Sequence, residues 1–363
     1  MTHPLNTHSE CSLSDNDMIS SSVPITVGEL CALVHQAWDV DFLFDESGLI
    51  KGRSNTNVIE KDHPDRHVVR IHSKTADKRL LSSLYDMLHA IYLQGYTKIP
   101  IPCALCHPIS DTPWIVSRKE RLLSLFVYRQ GHTLPLWETP SRPLLKEIAR
   151  NCRELNQALS AVTCSPEEPF LDFETKQRNY LQLITASTEW QGRQESIRDE
   201  LAHHFDTFVR NAYQLLADAA LLCQGLRKQL IHGDIHQENL LFEKAQEEFP
   251  SLVCFLDFEE VTIGYAEMDV IFSALRLCKT DKTNPCLNIN QSEVLYFLES
   301  YDPLLREFYV KNLPFWHAYF ALQQSLLYMN HAFYGEWRLT KENGFLQCFN
   351  CVVNYTQKIC VIE

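Results

Sequence analysis

Residues 230–242, LIHGDIHQENLLF, and residues 255–260, FLDFEE, set ionisable and amide side chains inside runs of apolar ones. Burying a polar group without a partner costs roughly 2–7 kcal/mol. A chain that folds around these stretches must therefore gather the polar groups where they serve one another or a ligand. The flanks LLF and VCFLDF are too short for helices and read as strands of a hairpin. Such a hairpin returns Asn239 and Asp257 to one edge, with the loop that carries His232, Asp234 and His236 beside them.

The rest of the chain divides into two textures. Thr26 and Glu29 form a capping box that opens a helix over ITVGELCALVHQAW. GLIKGRSNTNVIEKD and HVVRIHSK follow as strand-like runs, joined by the polar turn KDHPDR. TADKRLLSSLYDMLHAIYLQG reads as a helix stopping at Gly95, and WIVSR and LLSLFVYRQG read as two strands joined at KER. After Gly131 helices dominate. One spans SRPLLKEIARNCRELNQALSAV, with Ser141 as cap and Pro143 in its first turn. Another is expected from about Gln194 to Lys228, and a third over PFWHAYFALQQSLLYMNHAFY. The organisation expected is a polar, disordered leader over 1–24, a strand-rich lobe over 25–130 and a helical lobe over 131–363.

Composition removes several function classes. A net charge of −13 in 363 residues disfavours general nucleic-acid binding, which needs a basic stripe. No apolar run approaches the ~20 residues of a membrane span, and the leader lacks an export signal, so a soluble, cytoplasmic protein is expected. The 13 cysteines then read as reduced thiols. CALCH (Cys103, Cys106, His107) has haem-attachment spacing, and CFNC (Cys348, Cys351) is a second C-x-x-C. Both pairs are read as packing residues rather than as haem or zinc sites.

The arrangement H-G-D, four residues, N, then a strand ending in D-F resembles the phosphotransferase family of aminoglycoside and choline kinases. Asp234 and Asn239 stand five residues apart, and GYAEMDV places Asp269 in the family's downstream element. The resemblance implies an α+β, protein-kinase-like two-lobe fold. The residue types suit phosphoryl transfer on their own chemistry as well. Asp234 can align the acceptor hydroxyl and accept its proton, and Asn239 and Asp257 offer hard oxygen ligands to Mg²⁺ on ATP or GTP. His232 is read as holding the loop, Asp269 as bracing it, and Glu259 and Glu260 as a solvated pair, with facing a cationic substrate as the alternative. His236 is open between a phosphate-positioning and a surface role.

In the strand-rich lobe the resemblance puts Arg70 of HVVRIH at the cation that grips the nucleotide phosphates. Gly52–Asn57 would be the phosphate-covering turn, with Ser54 and Asn55 as candidates. LFVY, with Phe126 and Tyr128, would be the hinge whose backbone meets the purine. The family pairs its basic strand residue with a glutamate on the next helix. That helix has none here, and Asp77 or Asp86 are the substitutes on offer. The expected function is a Mg²⁺- and nucleoside-triphosphate-dependent kinase acting on a small-molecule hydroxyl. Aminoglycosides, choline-like amines, homoserine and sugars are the acceptor classes, with a lean toward a cationic one. A protein-directed kinase and a non-catalytic pseudokinase scaffold are the alternatives.

Overall fold

The structure, a computed structural model, describes residues 25–44, 49–51, 55–61, 66–106, 112–136, 138–162, 169–187, 189–243, 251–280, 288–340 and 344–356. The expected leader, Ser54 and His107 lie outside the described residues.

Helix α1 (Val27–Trp38) starts where its capping box dictates: the Thr26 hydroxyl accepts from Glu29 N at 3.2 Å, and the Glu29 carboxylate accepts from Thr26 N at 2.9 Å. It lies over one face of a five-stranded antiparallel sheet. The strands are β1 (Leu49–Lys51), β2 (Thr56–Ile59), β3 (His67–Ile71), β4 (Ile115–Arg118) and β5 (Arg121–Val127), in spatial order β1-β2-β3-β5-β4. The two-residue periodicity of β5 divides its side chains. Leu123 and Leu125 join Val34, Trp38 and Val69 under α1, while Phe126 joins Leu84 and Leu88 of α2 (Lys78–Leu93) on the other face. Lys119 and Glu120, with φ of 47° and 60°, make the tight turn between β4 and β5.

The remainder is helical apart from two small antiparallel ladders. Helix α3 (Arg142–Ala161) buries Leu145, Ile148, Cys152, Leu155 and Leu159 on one stripe. Ser141 stands at its N-cap with extended backbone but makes no side-chain cap bond, so the start is set by Pro143 in the first turn. Helices α4 (Phe173–Ala186), α5 (Glu189–Gly192) and α6 (Arg198–Leu222) follow. The helix expected to reach Lys228 ends at Leu222, because Lys228 opens a strand, β6 (Lys228–Ile231). Strands β7 (Leu240–Phe242) and β8 (Leu252–Phe255) form the predicted hairpin, and β9 (Thr262–Tyr265) pairs with β6. The chain continues through α7 (Ala266–Leu277), α8 (Gln291–Tyr301), α9 (Pro303–Lys311), α10 (Leu313–Phe333) and α11 (Phe345–Val353). Cys348 is buried on α11, and the Cys106 thiol donates to Trp38 O at 3.0 Å. Among the described residues no helix is long and apolar enough to cross a membrane.

One apolar core runs from α2 through the helices and the small ladders. It includes Phe242, Phe255, Phe258 and Val270, which flank the polar loops, so the loops rest on buried core.

Candidate active site

The loop between β6 and β7 is fixed from three directions. Asp269, on α7, is buried; its Oδ2 accepts from His232 N at 3.2 Å and its Oδ1 from Gly233 N at 3.1 Å. Burial pushes the Asp269 carboxyl up to about 6, against the pull of Arg276 and the two amides. Gln237, also buried, donates to Leu277 O at 3.0 Å. Gly233 has φ of +81°, and a Cβ there would lie 2.6 Å from Glu260 O, so the position excludes any side chain.

His232 sits under the loop, its ring 4.5 Å from that of Phe258. Its Nδ1 accepts from Asp234 N at 3.3 Å, which leaves Nε2 to carry the proton donated to Leu256 O at 2.9 Å. Burial pushes this imidazole down to about 4, so it is neutral at physiological pH. Its role is to hold the loop.

Asp234 thus projects from a rigid frame. Its Oδ2 lies 3.4 Å from His236 Nε2, and its Oδ1 lies 3.7 Å from Nε of the buried Arg276. Burial works to raise this carboxyl, but the His236 hydrogen bond and the Arg276 charge outweigh it and hold Asp234 well below the usual carboxylate range. Arg276, from α7, also donates to Gln323 Oε1 at 2.9 Å.

The β7–β8 hairpin brings the two remaining oxygen donors together, with Leu240 opposite Phe255 and Leu256 N donating to Asn239 O at 2.8 Å. The Asn239 amide nitrogen donates to Asp234 O at 2.9 Å and to Asp234 Oδ2 at 3.3 Å, which turns its carbonyl oxygen away from Asp234. Asp257 adopts a left-handed backbone, φ 59° and ψ 69°, a conformation costly for a residue with a Cβ and often found at functional turns. Its Oδ1 is buried without a hydrogen-bond partner, although Arg70 Nη1 lies 3.6 Å away. Burial raises the Asp257 carboxyl, and the neighbouring Glu259 and Asp234 add to this against the pull of Arg70.

Arg70, in the middle of β3, donates from Nε to Asn57 Oδ1 at 3.1 Å and from Nη1 to Glu259 Oε1 at 3.1 Å. Neither aspartate offered by the sequence is its partner. Asp77 caps α2, accepting from Arg79 N at 2.7 Å, and Asp86 accepts from Trp114 Nε1 at 2.7 Å. Asn55 spends both ends of its side chain, donating to Glu259 at 2.6 Å and accepting from Ser73 N at 3.1 Å. Its amide supports the carboxylate cluster.

The hinge expectation changes as well. The N–H groups of Val127 and Tyr128 are engaged by Ile101 O at 3.0 Å and Arg66 O at 2.8 Å, and the Phe126 ring is packed edge-on to Tyr85 at 5.3 Å. The Val127 and Tyr128 N–H groups and the Phe126 ring are thus engaged within the protein. Glu260, read as solvated, pairs with Lys176 of α4. The sequence reading missed Glu259 as the partner of Arg70, and it missed Arg276 and Lys176. Arg276 stands seven residues beyond Asp269, two turns along one helix face, which was the available signal.

Compared with known proteins, the chain matches the model of the phosphotransferase enzyme family over residues 46–294. It belongs to that family. It is accordingly a phosphotransferase with a hydroxyl acceptor, built on a protein-kinase-like fold. No curated protein matches the family member by sequence. Solved structures do match in fold. An amicoumacin kinase in complex with AMP-PNP, Ca²⁺ and Ami superposes with a TM-score of 0.61 at 10% identity, covering 91% of this chain and 94% of that one. A Plasmodium vivax ethanolamine kinase gives 0.59 at 14% identity, covering 86% and 83%. A spectinomycin phosphotransferase with ADP and spectinomycin gives 0.54 at 14% identity, covering 91% and 94%.

Proposed function

We propose that this phosphotransferase moves the γ-phosphate of ATP or GTP to a hydroxyl of a small molecule, with Mg²⁺ as cofactor. The observation that carries the reading is the convergence of Asp234, Asn239, Asp257 and Arg70 at the edge of the β7–β8 hairpin. In this reading residues 25–130 form the nucleotide-binding lobe and 131–363 the catalytic, helical lobe.

The donor set fits magnesium. Asp257 offers a buried carboxylate oxygen with no hydrogen bond, raised by its acidic neighbours, and a cation there would relieve that repulsion. Among the described residues no three His, Cys, Asp or Glu side chains cluster as a metal cage. Magnesium commonly rests on one or two protein oxygens plus phosphate and water. When bound, the ion would neutralise charge on the phosphates; Asn239 Oδ1 and Asp257 Oδ1 are the atoms to hold it.

Arg70 is the candidate to grip the phosphates. Asp234, ionised and oriented by His236 and Arg276, accepts a hydrogen bond from the acceptor hydroxyl and so aims its oxygen at the γ-phosphorus. A carboxylate held this low is a weak base. It takes the proton late, as the oxygen–phosphorus bond forms and the γ-phosphorus–oxygen bond to the nucleoside diphosphate breaks. The Arg70–Glu259 pair favours a catalytic protein over a pseudokinase scaffold, because it supplies the carboxylate the helix lacks. The structural neighbours named for ethanolamine, spectinomycin and amicoumacin point to hydroxylated amines as the first acceptors to try.

The test is incubation with Mg²⁺ and γ-labelled ATP or GTP against hydroxylated amines, homoserine and sugars, followed by mass spectrometry of the acceptor. A phosphomonoester formed by wild type and lost in Asp234→Ala supports the reading. Label transferred only to a protein, or to no acceptor, contradicts it.

A further inference from the structure

The carboxylate that orients the phosphate-gripping cation is on the wrong element for a helix-borne partner. Across Lys78–Leu93, α2 carries one acidic residue, Asp86, and that side chain is committed to Trp114. What α2 directs toward β3 is the Tyr85 hydroxyl, which meets His72 Nε2 at 2.9 Å and Ser124 Oγ at 3.1 Å. Glu259 fills the gap from the turn after β8, which packs against α2. It draws Arg70 Nη1 to 3.1 Å and Asn55 Nδ2 to 2.6 Å, and His72 Nδ1 lies 3.7 Å away. Each of those donors is itself held: Arg70 by Asn57, Asn55 by Ser73 N, and His72 by Ser124 Oγ at 2.8 Å.

We infer that Glu259 is the positioning residue for Arg70, doing from the turn after Asp257 what the sheet's own helix cannot do. The inference rests on the reading of Arg70 as the phosphate grip. Its consequence is mechanical. Asp257 stands at the N-cap and Glu259 lies within one 3-10 turn, Phe258–Glu260, anchored by the buried Phe258 ring. The metal-facing aspartate and the orientation of the phosphate-gripping arginine are therefore set by the same turn, across the junction of the sheet with the helical part. Helix α2 supplies no carboxylate to this network; it meets it through the Tyr85 hydroxyl on His72 and by packing against the turn.

A plain interlobe ion pair would make a different prediction from a positioning residue. An ion pair that only holds the fold affects all nucleosides alike. A residue that aims Arg70 affects only ligands with phosphates, and acts only while Arg70 is present.

The test is calorimetric titration of the full chain with Mg²⁺-ATP and, separately, with adenosine. Wild type, Glu259→Gln, Arg70→Ala and the double variant are compared, with Glu259→Asp as a second, milder change. We expect Glu259→Gln to weaken ATP roughly tenfold, as loss of a charged hydrogen bond does, while adenosine affinity holds. Glu259→Asp falls between wild type and Glu259→Gln. The double variant is no weaker for ATP than Arg70→Ala alone. Three results overturn the inference: unchanged ATP binding in Glu259→Gln, equal losses for ATP and adenosine, or losses that multiply in the double variant. A wild type that binds neither ligand removes the underlying kinase reading along with it.

Discussion

Replacing Asp269 with alanine tests the frame on which the active-site loop is built. The two Asp269 oxygens are the acceptors for His232 N and Gly233 N, at 3.2 and 3.1 Å, in a side chain only 2% exposed. Removing them leaves two backbone donors in a buried loop, and each unsatisfied donor costs about 1–3 kcal/mol. Asp269→Ala should therefore lose about 2–6 kcal/mol, a large part of the ~5–15 kcal/mol that stabilises an ordinary domain. At roughly 2 °C per kcal/mol for a chain of this size, the melting temperature falls by about 4–12 °C. Asp269→Asn keeps one acceptor but turns an NH₂ toward the second donor, so its loss is about half as large. Turnover should fall further than stability, because Asp234 is carried by the same loop and a displacement of ~1 Å can cost on the order of 10²-fold. Differential scanning calorimetry with a phosphoryl-transfer assay reads both effects. An Asp269→Ala protein that melts within a degree of wild type and turns over normally would refute the bracing role.

Two further outcomes follow from the same loop. Gly233→Ala should lower turnover by at least on the order of 10²-fold, since φ of +81° and the 2.6 Å approach to Glu260 O force the loop aside; wild-type turnover would contradict this. His232 is pushed down to about 4 in the fold from an ordinary 6.5, so between those values the unfolded chain binds a proton that the folded chain does not. The His232 contribution to stability should thus fall as pH drops from 6.5 toward 4, by up to about 3 kcal/mol, while the raised Asp269 carboxyl works in the opposite direction. His232→Gln should flatten that slope in urea titrations at pH 4.5 and 7; an unchanged slope would count against the assignment.

The parts of the fold written locally were legible. The Thr26–Glu29 capping box, the alternation in β5 and the apolar flanks of β7 and β8 specify their elements over a few residues. The spacing of Asp234, Asn239 and Asp257 was legible for the same reason, because a short hairpin connects them. What was not legible depends on contacts across long stretches of chain. Glu259 meets Arg70 across a sequence separation of 189 positions and Asn55 across 204, and no periodicity encodes such a pairing. Helix α4, which places Lys176 against Glu260, was passed over, although Asp172 caps it by accepting from Glu174 N and Thr175 N. The hinge expectation at Phe126 and Tyr128 came from resemblance alone. The hydrogen bonds that Val127 N and Tyr128 N donate to Ile101 O and Arg66 O are a property of the assembled sheet.

The division of labour between Asp257 and Asp234 is the central claim, and the dependence of ATP-induced stabilisation on Mg²⁺ tests it most directly. Ligands that bind only the folded state raise its stability, so melting curves with ATP alone and with ATP plus Mg²⁺ report metal-assisted binding. Asp257→Ala should abolish the increment that Mg²⁺ adds to ATP in the wild type. Asp234→Ala should keep that increment nearly whole while its phosphoryl transfer drops by roughly 10²–10⁴. A full Mg²⁺ increment in Asp257→Ala, or full transfer activity in Asp234→Ala, would contradict the account.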